Sequence, residues 1–193
     1  MDHRWWVARG WMVVVSLLVG ALVGGLYGAL HDQLSYTLCP DFFTRFKFIQ
    51  FWIYWGYESP RWGAAWVGFR ATWWLGGVVG LVLSLFALLF HPPRRMARRV
   101  AEAMVLALLV TLLALGLGLL HVHLLVDASN MHLYRGWSWP NEADQLQFVR
   151  VGILHLYSYS GALLGLCSGL GYLSWHYRRQ HGQQQASRSA ESV

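Results

Sequence analysis

The chain has 193 residues, of which 56% are hydrophobic and 12% are charged, and its formal net charge is +6. A soluble domain of this length cannot bury several long apolar runs in one core, so the composition excludes a soluble globular protein. Because the excess positive charge lies beside the apolar runs, a membrane explains it and no nucleic-acid partner is expected.

Four apolar runs predict membrane-spanning helices, at residues 9–31, 64–90, 100–123 and 149–175. At a rise of about 1.5 Å per residue, each run is long enough to cross a hydrocarbon core of about 30 Å. The predicted fold is therefore all-α, an integral membrane four-helix bundle. Residues 1–179 are expected to form its single transmembrane domain, and the polar residues 180–193 a disordered cytoplasmic tail.

An excess of arginine marks one side of the membrane, whereas the outer loops mix both charges. These arginines precede the first run, fill the link between the second and third runs, and follow the fourth: Arg4, Arg9, Arg94, Arg95, Arg98, Arg99, Arg178 and Arg179. The positive-inside rule places both termini in the cytoplasm of a multi-pass bacterial inner-membrane protein, with anionic membrane lipid as a partner. A cleaved secretory signal is the alternative for the first run, which at about 20 residues is longer than a usual signal core.

Small-residue strips predict how the helices pack. Two runs carry glycines at i, i+4 and i+8: Gly20, Gly24 and Gly28 in the first, and Gly161, Gly165 and Gly169 in the fourth. Such GxxxG strips let two backbones approach closely in lipid. They predict that the first and fourth helices are neighbours, or that one strip faces a second copy in a homo-oligomer or another membrane protein partner.

The first outer loop, residues 32–63, is rich in aromatic side chains. Apolar residues recur there at helical spacing, after a proline that suits a first helical turn: Pro40, Phe42, Phe46, Ile49 and Ile53. We predict an amphipathic aromatic helix in the outer interface, with a simple aromatic belt as the alternative. In the second outer loop, Trp137 and Trp139 precede Pro140 and Glu142, where a helix leading into the fourth run is expected to begin. Both loops are expected to cover the outer end of the bundle.

Ionisable side chains within the runs lie in the outer half only. Such a side chain costs several kcal/mol in lipid unless it is paired or hydrated, so each one is a functional-site hypothesis. We predict an outward-facing polar layer that binds a ligand, with these members besides the histidines: Gln33, Glu58, Arg70, Arg150 and Tyr159. For Arg70, pairing with Asp32 or Glu58 is favoured over ligand binding, and Arg150 lies close enough to the interface to snorkel.

The histidines suggest a metal site. His31, Asp32, His123 and His155 offer three imidazoles and a carboxylate at one level of the bundle, which suits Zn, Cu or Fe. Two histidines on facing helices can also bind haem. His121 and His123 point to opposite sides of one helix, so only one of them can face the interior. Since no HxxxH or CxxC spacing is present, hydrogen bonding at the interface is the alternative.

No motif predicts catalysis, because the chain lacks a phosphate loop, a nucleophile elbow and a metal-protease helix motif. An enzyme is therefore the less favoured class. The favoured function is that of a non-enzymatic accessory or scaffold subunit, which presents the outer polar layer to a partner or small ligand. A metal- or haem-binding redox or sensor protein is the alternative, and a small transporter or membrane enzyme is a weaker one.

One segment resembles a known family. It runs His31-Asp32-Gln33, then Ser35-Tyr36-Thr37, then Pro40-Asp41-Phe42-Phe43-Thr44-Arg45-Phe46-Lys47-Phe48. This motif is similar to an outer-loop segment of small, uncharacterised bacterial four-helix membrane proteins, with a second likeness around residues 148–152 and His155. The resemblance implies no reaction, but it implies that His31, Asp32, Gln33 and His155 belong together.

Overall fold

The computed structural model describes residues 3–90, 92–134, 136 and 144–191. The described residues form helices and no strand. In chain order, the helices are α1 (His3–Leu38), α2 (Pro40–Phe42), a π-helical turn (Phe43–Lys47), α3 (Phe48–Phe51), a 3₁₀ turn (Tyr54–Tyr57), α4 (Pro60–Ala87), α5 (Pro93–Leu124), a 3₁₀ turn (Ala128–Tyr134) and α6 (Gln145–Glu191).

Four of these helices, α1, α4, α5 and α6, are long and apolar enough to cross a membrane. This confirms the predicted all-α bundle, and the chain is a multi-pass membrane protein. The helices extend beyond the predicted runs: α4 begins at Pro60 and α5 at Pro93, each with proline in the first turn. Proline is favoured there because its missing N–H would have no helical partner.

The last helix differs most from the prediction. The structure continues α6 through Glu191, where the sequence predicts a disordered tail from residue 180. This segment contains four Gln and two Ala, residues with favourable intrinsic helix propensity.

Helices α1 and α4 form a closely packed pair. On α1, Gly20, Gly24 and Gly28 lie against the α4 backbone, and a Cβ built at Gly24 would lie only 2.8 Å from the Cα of Gly76. The hydroxyl of Thr72 donates to the carbonyl of Gly24 at 2.7 Å. Because glycine has no side chain, the backbones of α1 and α4 can touch along this strip.

Helices α5 and α6 form a second pair in the same way. A Cβ built at Gly165 would lie 3.0 Å from the Cα of Ala107, and one at Gly161 would lie 3.2 Å from the Cα of Thr111. The predicted contact between the strips of the first and fourth helices is therefore wrong, since each strip packs against the helix adjacent in the chain. The helices of each pair are joined by a long outer loop, whereas the short link at residues 88–92 connects the two pairs.

The two pairs join at both ends of the bundle. At the end that contains Asp32, here called the Asp32 end, the buried core consists of Cys39, Phe42, Phe43, Phe48, Ile53, Ala64, Val67, Phe148 and Val151. At the opposite end, here called the Arg99 end, it consists of Leu83, Ala87, Phe90, Met96, Val100, Ala103 and Leu173. Between these two cores a cleft separates the helix pairs.

The first outer loop is helical, as predicted, but its buried face differs. Phe43 and Phe48 are fully buried, whereas Phe46 and Ile49 are 37% and 53% exposed. The π-helical turn Phe43–Lys47 changes the helical phase, and Trp52 then ends α3 in the left-handed conformation at φ 59°. The loop therefore packs its aromatic residues into the Asp32 end of the bundle.

Candidate metal centre

Two helices bring three of the predicted ligands together. His31 and Asp32 lie near the end of α1, and His155 lies on α6. Asp32 Oδ1 is 3.0 Å from His31 Nδ1 and 3.2 Å from His155 Nε2. His31 and Asp32 are only 6% and 3% exposed. One carboxylate oxygen therefore lies between two imidazoles, inside the predicted membrane region.

The backbone orients the His155 ring. Its Nδ1 lies 2.9 Å from the carbonyl oxygen of Val151, which can only accept, so Nδ1 carries the hydrogen. A neutral ring then has a lone pair on Nε2, which faces the carboxylate of Asp32. Two acceptors at this distance repel each other unless a proton or a metal cation lies between them. A backbone carbonyl on the second ring nitrogen is a contact also made by metal-ligating histidines.

The His31 ring is less fully satisfied. Its Nδ1 lies 3.5 Å from Ser35 Oγ as well as close to Asp32. Its Nε2 is buried and has no hydrogen-bond partner among the residues that the structure describes. The His31 and His155 rings meet edge to face, with centroids 4.7 Å apart, and the tilted ring of Phe42 has its centroid 5.0 Å from that of His155. These contacts exclude water from one side of the cluster.

The cleft reaches the other side of the cluster. Its volume is about 410 Å³, and its wall includes His31, Asp32, His155 and Tyr159 at the Asp32 end. Towards the Arg99 end its lining becomes almost entirely apolar. A hydrogen bond of 2.9 Å from Tyr27 to Ser158 joins the two helix pairs beside the cluster. A molecule in the cleft would therefore reach the cluster from the membrane interior.

The other predicted members of the polar layer are dispersed. Gln33 donates to the carbonyl of Arg61 at 2.8 Å, and Arg70 donates to the carbonyl of Phe51 at 3.3 Å. Glu58 is exposed to solvent. None of these three side chains lines the cleft, and of the predicted layer Tyr159 is the member that shares the cleft with the cluster. Among the described ion pairs, Arg70 joins none with Asp32 or Glu58.

His123 does not join the cluster. It is exposed on α5, whereas His121 faces α6 and its Nδ1 lies 2.9 Å from the hydroxyl of Tyr157. Two positions along a helix correspond to about 200°, so the inward direction of His121 forces His123 outward. The structure therefore assembles two of the three predicted imidazoles and leaves out the third.

The second outer loop is described in part. Asp127 Oδ1 accepts from the backbone N–H and hydroxyl of Ser129, at 2.8 and 2.6 Å, which caps a 3₁₀ turn. Asp144 Oδ1 caps α6 by accepting from the N–H of Gln147 at 3.1 Å. The expected helix start at Pro140, with the tryptophans before it, lies outside the described residues.

Lys47 belongs to the outer-loop motif, but the sequence assigns it no role of its own. Its ammonium lies 4.7 Å from the ring of Phe46 and 5.8 Å from that of Phe51, and it donates to Gln50 Oε1 at 2.9 Å. Burial lowers the pKa of Lys47, and the nearby Asp32 carboxylate opposes that shift. The contact of Lys47 with Phe51 could have been predicted, because residues at i and i+4 lie on the same face of a helix.

Arg150 is expected to matter for stability rather than for the site. Its Nε and Nη2 both donate to the buried carbonyl of Val126, at 3.0 and 2.6 Å. Arg150→Gln should lower the free energy of unfolding by about 1 to 3 kcal/mol, because that carbonyl loses its charged partner. Arg70→Gln is the control, since it removes one long bond at an exposed position. Thermal unfolding in detergent measures both, and equal losses would contradict the assignment.

The cluster can hold a cation between two imidazoles and one carboxylate, with the cleft open on one side. In comparisons with known proteins, the chain matches no family model, no curated protein and no solved structure. Its function is therefore inferred from the residues of the cluster and from their position in the bundle.

Proposed function

We propose that this multi-pass protein of the bacterial inner membrane binds a divalent transition-metal ion at His31, Asp32 and His155. One observation carries the proposal: a ligand atom of each residue lies within 4.8 Å of those of the other two. Two imidazoles and a carboxylate are ligands for Zn, Cu or Fe. Burial of such a group in lipid is costly, and an intramembrane ionisable residue is therefore a functional-site hypothesis.

The number of ligands points to a reactive or sensing site. Structural zinc sites are usually closed by four protein ligands, whereas three protein ligands leave a position for water or another molecule. Here that position would face the cleft, where Tyr159 also lies. The geometry thus favours a redox, sensor or metal-assisted role over a purely structural one.

Haem is not favoured at this cluster. The two histidines are axial ligands only if a porphyrin plane can pass between them. Their ring centroids are 4.7 Å apart, and Asp32 Oδ1 contacts both rings. The porphyrin plane would have to cross Asp32. A single small cation fits this space.

The charge pattern supports the orientation of the proposed site. By the positive-inside rule, the arginine-rich Arg99 end faces the cytoplasm, so the Asp32 end faces outward. Trp52 and Trp62 are 77% and 75% exposed at that end, as expected of side chains that anchor a helix bundle in the interface. The metal would then enter from the outer side or from the membrane.

Elemental analysis of the detergent-purified protein tests the proposal. We expect close to one equivalent of Zn, Cu or Fe per chain, removed by His155→Ala and by His31→Ala. His123→Ala is the matched control, because it removes an imidazole that lies outside the cluster, and it should retain the metal. A protein that stays metal-free after incubation with each ion would falsify the proposal.

The same exposed aromatic surface at the Asp32 end supports a second candidate. As a non-enzymatic accessory or scaffold subunit, the protein would present this surface to another membrane protein or to a second copy. The histidine variants separate the two roles. In the scaffold role, His31→Ala and His155→Ala should change stability or the set of co-purified membrane proteins, with no change in metal content.

A further inference from the structure

A second polar cavity lies at the Arg99 end, between α5 and α6. Its volume is about 390 Å³, and its wall consists of Arg95, Arg99, His176, Arg179, Gln180 and Gln183. Three guanidinium groups thus converge on one space, beside the first turn of α5, where the positive end of the helix dipole also favours an anion. The cavity is separate from the His31, Asp32 and His155 cluster and lies at the opposite end of the bundle.

Neighbouring side chains hold Arg99 in place. Its Nη1 donates to Glu102 Oε2 and to the hydroxyl of Tyr172, each at 2.8 Å. Tyr172 in turn donates to Glu102 Oε2 at 2.5 Å. Since Arg98 Nε donates to the other oxygen of Glu102 at 2.8 Å, that carboxylate is fully engaged. This network links α5 to α6 and fixes one guanidinium at the cavity wall.

Among the described side chains, the other two arginines of the cavity have no acidic partner. Arg95 and Arg179 take part in no ion pair with any side chain that the structure describes. Arg179 lies 5.4 Å from the ring of Trp175, an exposed side chain suited to the membrane interface. His176 Nε2 lies 3.2 Å from Arg99 Nη1, so the imidazole lies directly against the fixed guanidinium. The cavity therefore offers donors and positive charge.

We propose that this cavity binds a phosphate group, and that anionic phospholipid supplies it. Planar guanidinium groups match phosphate oxygens in bidentate fashion, and basic pockets between membrane helices at the cytoplasmic surface bind anionic headgroups. The interfacial position of Trp175 and Arg179 favours a lipid headgroup, whose chains extend along the bundle. Free phosphate shares the chemistry of the headgroup and is distinguished by experiment.

The test uses full-length protein in nanodiscs that contain phosphatidylglycerol and phosphatidylcholine. Native mass spectrometry of the released protein should show retained phosphatidylglycerol, and Arg95→Gln/Arg179→Gln should weaken its retention about tenfold. Arg94→Gln/Arg178→Gln is the matched control: it removes the same charge from arginines adjacent in the chain that do not line the cavity. Its lipid retention should equal that of the unmodified protein.

Thermal stability distinguishes the source of the phosphate group. Stabilisation by phosphatidylglycerol but not by inorganic phosphate identifies a lipid site, whereas stabilisation by inorganic phosphate alone overturns the lipid assignment. Equal loss of lipid in both double variants would show a diffuse positive surface and overturn the proposal. Loss in neither variant would overturn it as well. Unchanged metal content in all variants keeps this test independent of the proposed metal site.

Discussion

Asp32→Asn is expected to weaken metal binding by at least about 100-fold while the bundle stays folded. The substitution removes the one anionic ligand, and loss of even an outer partner of a metal ligand costs roughly 10- to 100-fold. Asparagine keeps the shape of the side chain, and its amide can accept from His31 and donate to the lone pair of His155. Competition with a coloured chelator measures affinity, and circular dichroism measures helix content.

Asp127→Asn provides the control for this prediction. Asp127 is an exposed carboxylate that caps a turn in the second outer loop, so its loss changes the charge equally without touching the cluster. Its metal affinity should be that of the unmodified protein. If Asp32→Asn binds metal as tightly as this control, Asp32 is not a ligand and the cluster is a hydrogen-bonded pair of histidines.

Gly76→Ala is expected to separate α1 from α4 and to lower the free energy of unfolding by about 1 to 3 kcal/mol. A Cβ at this position would collide with the carbonyl oxygen of Gly20 and lie 2.8 Å from the Cα of Gly24. Both contacts are backbone atoms, so no side chain can rotate away. The thermal unfolding midpoint in detergent, together with the fraction of monodisperse protein, measures the loss.

Gly116→Ala isolates the packing effect. A Cβ at Gly116 meets nothing within 4 Å among the described residues, although the position lies in the interior of α5. There the same substitution should be neutral or stabilising, because alanine has the higher helix propensity. Equal destabilisation by both substitutions would show that the backbone contact between α1 and α4 is not tight.

The number and type of long helices are readable from the sequence because lipid imposes a strong and simple requirement. Runs of this length and hydropathy have no other stable placement. The ends of α4 and α5 are less readable, since they depend on Pro60 and Pro93 and on helix-forming arginines beyond the apolar residues. The helix against which each glycine strip packs depends on how the helices are rotated in the bundle. The spacing of glycines within one helix does not determine that rotation.

Part of the candidate site could be predicted from the sequence, because ionisable residues are rare within apolar membrane-spanning runs. His31, Asp32 and His155 stand out for that reason, and the structure places them together. The direction of His123 depends on the rotation of α5, which hydropathy alone does not determine. Arg150 donates to the backbone carbonyl of Val126, which has no partner within a helix. The sequence of side chains does not show which backbone carbonyls lack such a partner, so this contact could not be predicted. Arg9 is only 3% exposed because its guanidinium lies 4.3 Å from the ring of Trp5, a contact that the hydropathy pattern does not contain.

The pairing of adjacent helices has a consequence for assembly. Helices α1 and α4 are complete before α5 is synthesised, so each half can form as a helical hairpin and the halves can then dock. His31 and Asp32 belong to the first hairpin and His155 to the second, so the cluster exists only after docking. A metal ion bound there would hold the two hairpins together. It would stabilise the docked state by about 2.7 kcal/mol when its free concentration is 100 times its Kd. Metal supply would then set how firmly the halves stay joined.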